Sequence, residues 1–130
     1  MQVRAEGRAD HSAVTSIYFL LASSMISRWH KVSSDEIWHW YEGEPLELLV
    51  CNPELSAVKI IYLGRVIADH QPVYVVPAGW WQAARPVGAY TLCGCSVAPG
   101  FEFADFAFLT DEPSAATQMK ALGAHWAQLL

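Results

Sequence analysis

Seven short runs rich in β-branched, aromatic and apolar residues follow one another between Thr15 and Leu109: TSIYFLLA, EIWHWYEG, LELLVCNP, VKIIYLG, PVYVVPAG, YTLCGCSVAPG and FEFADFAFL. Turn signals punctuate them at Glu42-Gly43-Glu44-Pro45, Asn52-Pro53, Leu63-Gly64, Pro77-Ala78-Gly79, Pro86-Val87-Gly88 and Pro99-Gly100. Gly and Pro at such sites set tight turns, which join antiparallel neighbours. Strands this short, with no helical pattern between them, predict an all-β sandwich or barrel. The pattern changes after Asp111. Pro113 and Ser114 are helix starters, and the stretch to Leu129 is rich in Ala, Leu, Met, Gln and Lys, which predicts a C-terminal α-helix over 114–129 packed outside the barrel.

A chain of 130 residues fits one domain that buries about two-thirds of its unfolded surface. Residues 1–11 read as a polar N-terminal arm or edge strand, 15–109 as the barrel and 114–129 as the helix. The composition is 53% apolar with six tryptophans, and 16% of residues are charged, against about a quarter in soluble proteins. So little charge leaves apolar surface to cover, and a homodimer is expected. A net charge of −5 with scattered basic residues argues against nucleic acid and against an anionic membrane surface as partners.

The stretch Ser12–Ser27 is apolar and near the N-terminus, but it is too short and too rich in Ser to span a bilayer. It also follows a segment of mixed charge rather than a cationic one, so it reads as a buried strand. Cys51, Cys93 and Cys95 are odd in number and form no Cys-x-x-Cys pair. Reduced thiols in the cytoplasm, acting as small buried apolar groups, are the expectation.

Chemistry concentrates in WHKVSSDEIWHWYEG, from Trp29 to Gly43. Alternate residues of a strand share a face, which puts Glu36, Trp38 and Trp40 on one side and Ile37, His39 and Tyr41 on the other. Glu36, six residues and then Gly43 resembles the second half of the first cupin motif, where a His-x-His pair precedes the Glu. His30 stands near the second histidine of that pair, and Arg28 takes the place of the first. Pro77-Ala78-Gly79-Trp80-Trp81-Gln82 resembles the second cupin motif, with Gln82 in place of its histidine. SIYFLL, VVPAGWWQAARP and YTLCGCSVAPGFEFADF extend the similarity to the small cupin branch catalogued as a domain of unknown function, over roughly Thr15 to Leu109.

The resemblance implies a double-stranded β-helix, or jelly-roll barrel, commonly a dimer, with Arg28, His30, Glu36 and Gln82 facing a pocket at the barrel mouth. No tight metal is expected of that set, because a guanidinium cannot ligate and repels a divalent ion. Should a weakly bound divalent ion be held, its ligands would be His30, Glu36 and Gln82. The same residues suit acid/base chemistry on a small anionic or carbohydrate-like molecule. In that reading His30 and Glu36 are the catalytic pair, Tyr18 is a further proton donor, Arg28 holds the anion, and Trp38, Trp40, Trp81 and Gln82 line the site.

Three functions remain open on the sequence: a metal-independent isomerase or epimerase, a metal-dependent cupin enzyme such as a dioxygenase, and a non-catalytic ligand-binding module. His30 could equally be bonded to Glu36 with no catalytic duty. His11, His70 and His125 read as surface residues, His39 as outward-facing, and Glu102 and Asp105 as a solvated strand edge or a part of the barrel mouth.

Overall fold

The computed structural model describes the backbone of Gln2–Val3 and residues 10–130. Two antiparallel sheets face each other across the core. Thr15–Ala22 (β3), Asp35–Gly43 (β5), Val73–Val76 (β8) and Tyr90–Ala98 (β10) form a four-stranded sheet in the order β3-β10-β5-β8. Ser27–Val32 (β4), Leu46–Cys51 (β6), Val58–Leu63 (β7), Trp81–Pro86 (β9) and Phe106–Phe108 (β11) form a five-stranded sheet in the order β11-β4-β9-β6-β7. Gln2–Val3 (β1) and His11–Ser12 (β2) pair as a small separate ribbon. The expected jelly-roll barrel of short strands is the observed architecture.

Within the five-stranded sheet β6 is covered on both faces, which explains why LELLVC reads as a nearly unbroken apolar run. Leu46, Leu48 and Val50 point inward with Trp38, Leu63 and Cys95. Leu49 and Cys51 point outward into a second core with Trp29, Trp81, Leu109 and Met119. The helices Pro113–Leu122 (α1) and Ala124–Ala127 (α2) close that second core. Trp29 anchors the C-terminal segment, its backbone N–H donating to Leu129 O at 2.9 Å and its indole N–H to Trp126 O at 2.8 Å.

Several sequence expectations need correction. The single C-terminal helix is two, because Gly123 at φ +151° breaks it. FEFADFAFL is not one strand; it turns through a 3-10 helix at Phe103–Asp105, pairs for three residues as β11, and turns again at Leu109–Asp111. β4 and β9 were not among the seven runs. Their Arg, His, Lys, Gln and Ala content is a poor strand signal, and burial between neighbours overrides it. β3 is an edge strand rather than a buried one, with Tyr18 81% exposed. His11 is buried, and its Nε2 lies 2.6 Å from Asp105 Oδ2.

Gly94 on β10 has no side chain for a steric reason. A Cβ there would stand 2.4 Å from Tyr41 Oη, so glycine lets the Tyr41 ring lie across the strand. The second core has a direct test: Met119→Ala should cost about 2–5 kcal/mol in urea unfolding, because Met119 is fully buried between helix and sheet. A loss under about 0.5 kcal/mol would mean that the helices do not stabilise the barrel.

Candidate functional site

The inner faces of the two sheets diverge at one end and enclose a cavity of about 650 Å³. Alternation decides which residues line it. On β4, Arg28, His30 and Val32 face in while Trp29 faces the helices; on β5, Glu36 and Trp38 face in. Register places His30 opposite Gln82 on one side and opposite Phe108 on the other. Phe19, Phe101, Phe106 and Phe108 supply the aromatic wall of the cavity together with Trp38, and Ile17, Ile26, Val32 and Val97 an aliphatic one. Arg28 is the sole cation and Glu36 the sole carboxylate among the described residues that line the cavity.

His30 and Glu36 are both buried, and desolvation shifts them toward their uncharged forms. Burial is the main cause that holds His30 below its ordinary 6.5, while its bond to the Arg28 carbonyl opposes that shift. That bond, from Nδ1 to Arg28 O, is 2.7 Å long. A carbonyl accepts only, so Nδ1 carries the hydrogen, and in the neutral ring Nε2 keeps a free lone pair. Phe106 stacks on the ring with centroids 5.3 Å apart.

Glu36 is raised above its ordinary 4.5, chiefly by burial and against two hydrogen bonds, from Gln82 and from the Cys95 thiol. Gln82 Nε2 donates to Glu36 Oε1 at 2.9 Å, and Trp38 Nε1 donates to Gln82 Oε1 at 2.7 Å. These bonds cross from β5 to β9 and tie the two sheets together. Glu36 is therefore bonded to Gln82 and to the Cys95 thiol rather than to His30.

Arg28 stands at the rim. Its Nη2 donates to Thr110 Oγ1 at 3.0 Å, and its guanidinium carbon lies 4.8 Å above the Phe108 ring. Four of its five N–H donors remain for an anion.

Four expected site residues lie outside the cavity lining, Gln82 among them, since it is buried behind the wall with its amide engaged by Trp38 and Glu36. Tyr18 points outward from edge strand β3, where alternation turns it from the cavity. Trp81 belongs to the outer core under the helices, with Lys31 Nζ 4.7 Å above its ring, because it is one residue out of phase with Gln82. Trp40 faces inward but packs deeper against the main core; its indole nitrogen is buried without a hydrogen-bond partner among the described residues. The sequence reading missed Cys95 and the phenylalanine wall. The parity of Cys93 with Cys95, and of Phe106 with Phe108, was the available signal. Both thiols are pushed up by burial, Cys93 to about 12 and Cys95 further with help from the Glu36 charge, so they stay protonated.

The residues present do not suit a catalytic divalent metal. Among the described residues, no three or more His, Cys, Asp or Glu are grouped to hold one. The amide oxygen of Gln82, the atom that could ligate, is taken by Trp38. That geometry removes Gln82 from the set His30, Glu36 and Gln82 offered for a weakly bound ion.

The chain resembles known structures over most of its length. A protein from Shewanella oneidensis shares 27% identity and superposes with a TM-score of 0.82, covering 100% of this chain and 82% of that one. A dTDP sugar isomerase from Desulfovibrio desulfuricans shares 12% identity with a TM-score of 0.63, covering 83% and 78%. Oxalate decarboxylase from Bacillus subtilis shares 15% identity with a TM-score of 0.65, covering 78% of this chain and 25% of that enzyme. At 12% and 15% identity the last two speak to fold alone. No curated protein matches the chain. The profile described as Cupin superfamily (DUF985) matches residues 1–109, and the chain belongs to that family.

Proposed function

We propose that the protein is a metal-independent isomerase or epimerase that moves a proton on a small anionic molecule within the barrel. The observation that carries this reading is the pairing of His30, with a free Nε2, and the buried Glu36 in one apolar cavity. Desolvation moves both groups toward their uncharged forms, a neutral imidazole and a protonated carboxyl, rather than toward an ion pair. His30 Nε2 is then the base that removes a proton from carbon next to a carbonyl, and the Glu36 carboxyl is the acid that returns one. Arg28 at the rim pairs with the anionic group. The phenylalanine wall suits a ring or hydrocarbon body better than a sugar, whose hydroxyls each require a partner.

His30→Ala and Glu36→Gln should each lower proton exchange by about 10²–10⁴-fold with the fold intact. The measurement is deuterium uptake at the acidic carbon of aryl and branched 2-oxo acids in D₂O, followed by NMR, with circular dichroism as control. Ligands that raise the melting temperature yet neither exchange nor isomerise would favour a non-catalytic binding module. Treatment with chelator should leave the exchange rate unchanged; loss of rate restored by a divalent ion would overturn the metal-free mechanism.

The rate should be bell-shaped in pH. It falls on the acid side as His30 gains a proton, below the ordinary histidine range, and on the alkaline side as Glu36 loses one, above the ordinary carboxylate range. Stability follows the same groups with defined signs. The contribution of Glu36 is full below 4.5 and is lost as pH rises through its raised folded value. That of His30 is present above 6.5 and is lost as pH falls through its lowered one. Thermal melting of Glu36→Gln should therefore lose the part of the parent protein's decline that begins as pH rises past 4.5, while the decline owed to the buried thiols above 9.0 remains.

The reading includes a homodimer in the cytoplasm, the compartment that suits three free thiols. Tyr18, Leu20, Tyr41, Val73 and Val75 are exposed on the outer face of the four-stranded sheet. Ser16, Ile37, His39, Gly94 and Ser96 lie between them, none a Lys, Arg, Asp or Glu. Such a continuous uncharged face suits a standard interface, which takes about 800 Å² from each partner. Tyr18→Glu should shift the sedimentation coefficient from dimer to monomer; an unchanged dimer would place the interface elsewhere.

A further inference from the structure

The bonds linking Trp38, Gln82 and Glu36 have a direction. An indole nitrogen carries a hydrogen and donates only, whereas a glutamine amide can present either its oxygen or its NH₂ group. The atom of Gln82 that meets Trp38 Nε1 is the oxygen, and the NH₂ group is thereby turned to Glu36 Oε1. Trp38 and Gln82 are each 1% exposed. In the reversed amide two donors would face each other at Trp38 with no water to relieve them. The observed orientation avoids leaving that buried donor stranded.

We propose that Trp38 is a positioning residue for Glu36. By fixing the Gln82 amide it keeps Oε1 an acceptor and leaves Oε2 as the oxygen that gives and takes the proton. This rests on the reading of Glu36 as the acid of the pair. Its consequence is chemical: an NH₂ group facing the carboxyl favours release of the proton, whereas an amide oxygen in that place would accept the carboxyl hydrogen and hold it. A buried acid with no cation bonded to it then remains able to ionise. Trp38 acts at one remove, through an amide whose two ends have opposite effects.

The prediction is a two-by-two comparison of the parent protein, Trp38→Phe, Gln82→Met and the double variant. The readout is the titration midpoint of the Glu36 carboxyl carbon by ¹³C NMR, which needs no substrate. Trp38→Phe frees the amide to turn, and Gln82→Met removes its donor. Each should raise the midpoint by about one pH unit, a tenfold firmer hold on the proton. In the Gln82→Met background, Trp38→Phe should add less than about 0.3 unit, because the path through the amide is already cut.

No shift in Trp38→Phe would overturn the proposal. So would a shift of the same size in both backgrounds, which would mark a merely structural role. If Trp38→Phe does not fold, replacement of Trp38 by benzothienylalanine, which keeps the fused ring and lacks the N–H, carries the same expectation. The acid/base reading fails separately. A raised midpoint in a protein that exchanges no proton would sink catalysis and spare the positioning role; Glu36→Gln inactivity with an unmoved midpoint would do the reverse.

Discussion

Gln82 occupies the point where the two sheets of the barrel are joined by hydrogen bonds rather than by packing alone. Its amide accepts from Trp38 and donates to Glu36, so a strand of the five-stranded sheet is bonded to a strand of the four-stranded one. A neutral amide is well suited to this position. It satisfies a buried indole donor and a buried carboxyl with no net charge, whereas a cation there would pin Glu36 in its ionised form. The carboxyl of Glu36 is thereby left without a bonded cation, and the amide oxygen that could ligate a metal ion is taken by Trp38.

The outer core matters to the site because it fixes β4. Trp29 is sewn to the C-terminal segment by two hydrogen bonds and packed under the helices with Trp81 and Met119. Its neighbours Arg28 and His30 are turned the other way by the pleat, into the cavity. The ring of His30 is held by the Arg28 carbonyl and by Phe106. The helices therefore position His30 without lining the cavity, by setting the depth and rotation of the strand that bears it.

The strands with strong β-formers, from TSIYFLLA to YTLCGCSVAPG, were legible, and so was the inward face of Glu36 and Trp38. Where the reading went astray, the cause was an element whose local composition is outweighed by its neighbours. SRWHKV and WQAARP carry charged, amide and small residues that seldom make strands, yet they lie inside the five-stranded sheet with partners on both sides. Missing β9 cost the parity of Trp81 and Gln82, which assigned both to the pocket although adjacent residues of a strand point apart. His11 looked like a surface residue because nothing local reveals Asp105, 94 residues away.

The sequence by itself determined the class of fold and the identity of the groups available for chemistry. Apolar period, turn residues and the cupin-like spacing of His30, Glu36, Gly43 and Gln82 are all written along the chain, since each depends on near neighbours or on residue type. Tertiary structure alone decided what those groups do to one another. The amide orientation of Gln82, the free lone pair of His30 and the upward shift of the Glu36 carboxyl come from contacts between strands remote in sequence and from the exclusion of water, and no local pattern encodes either.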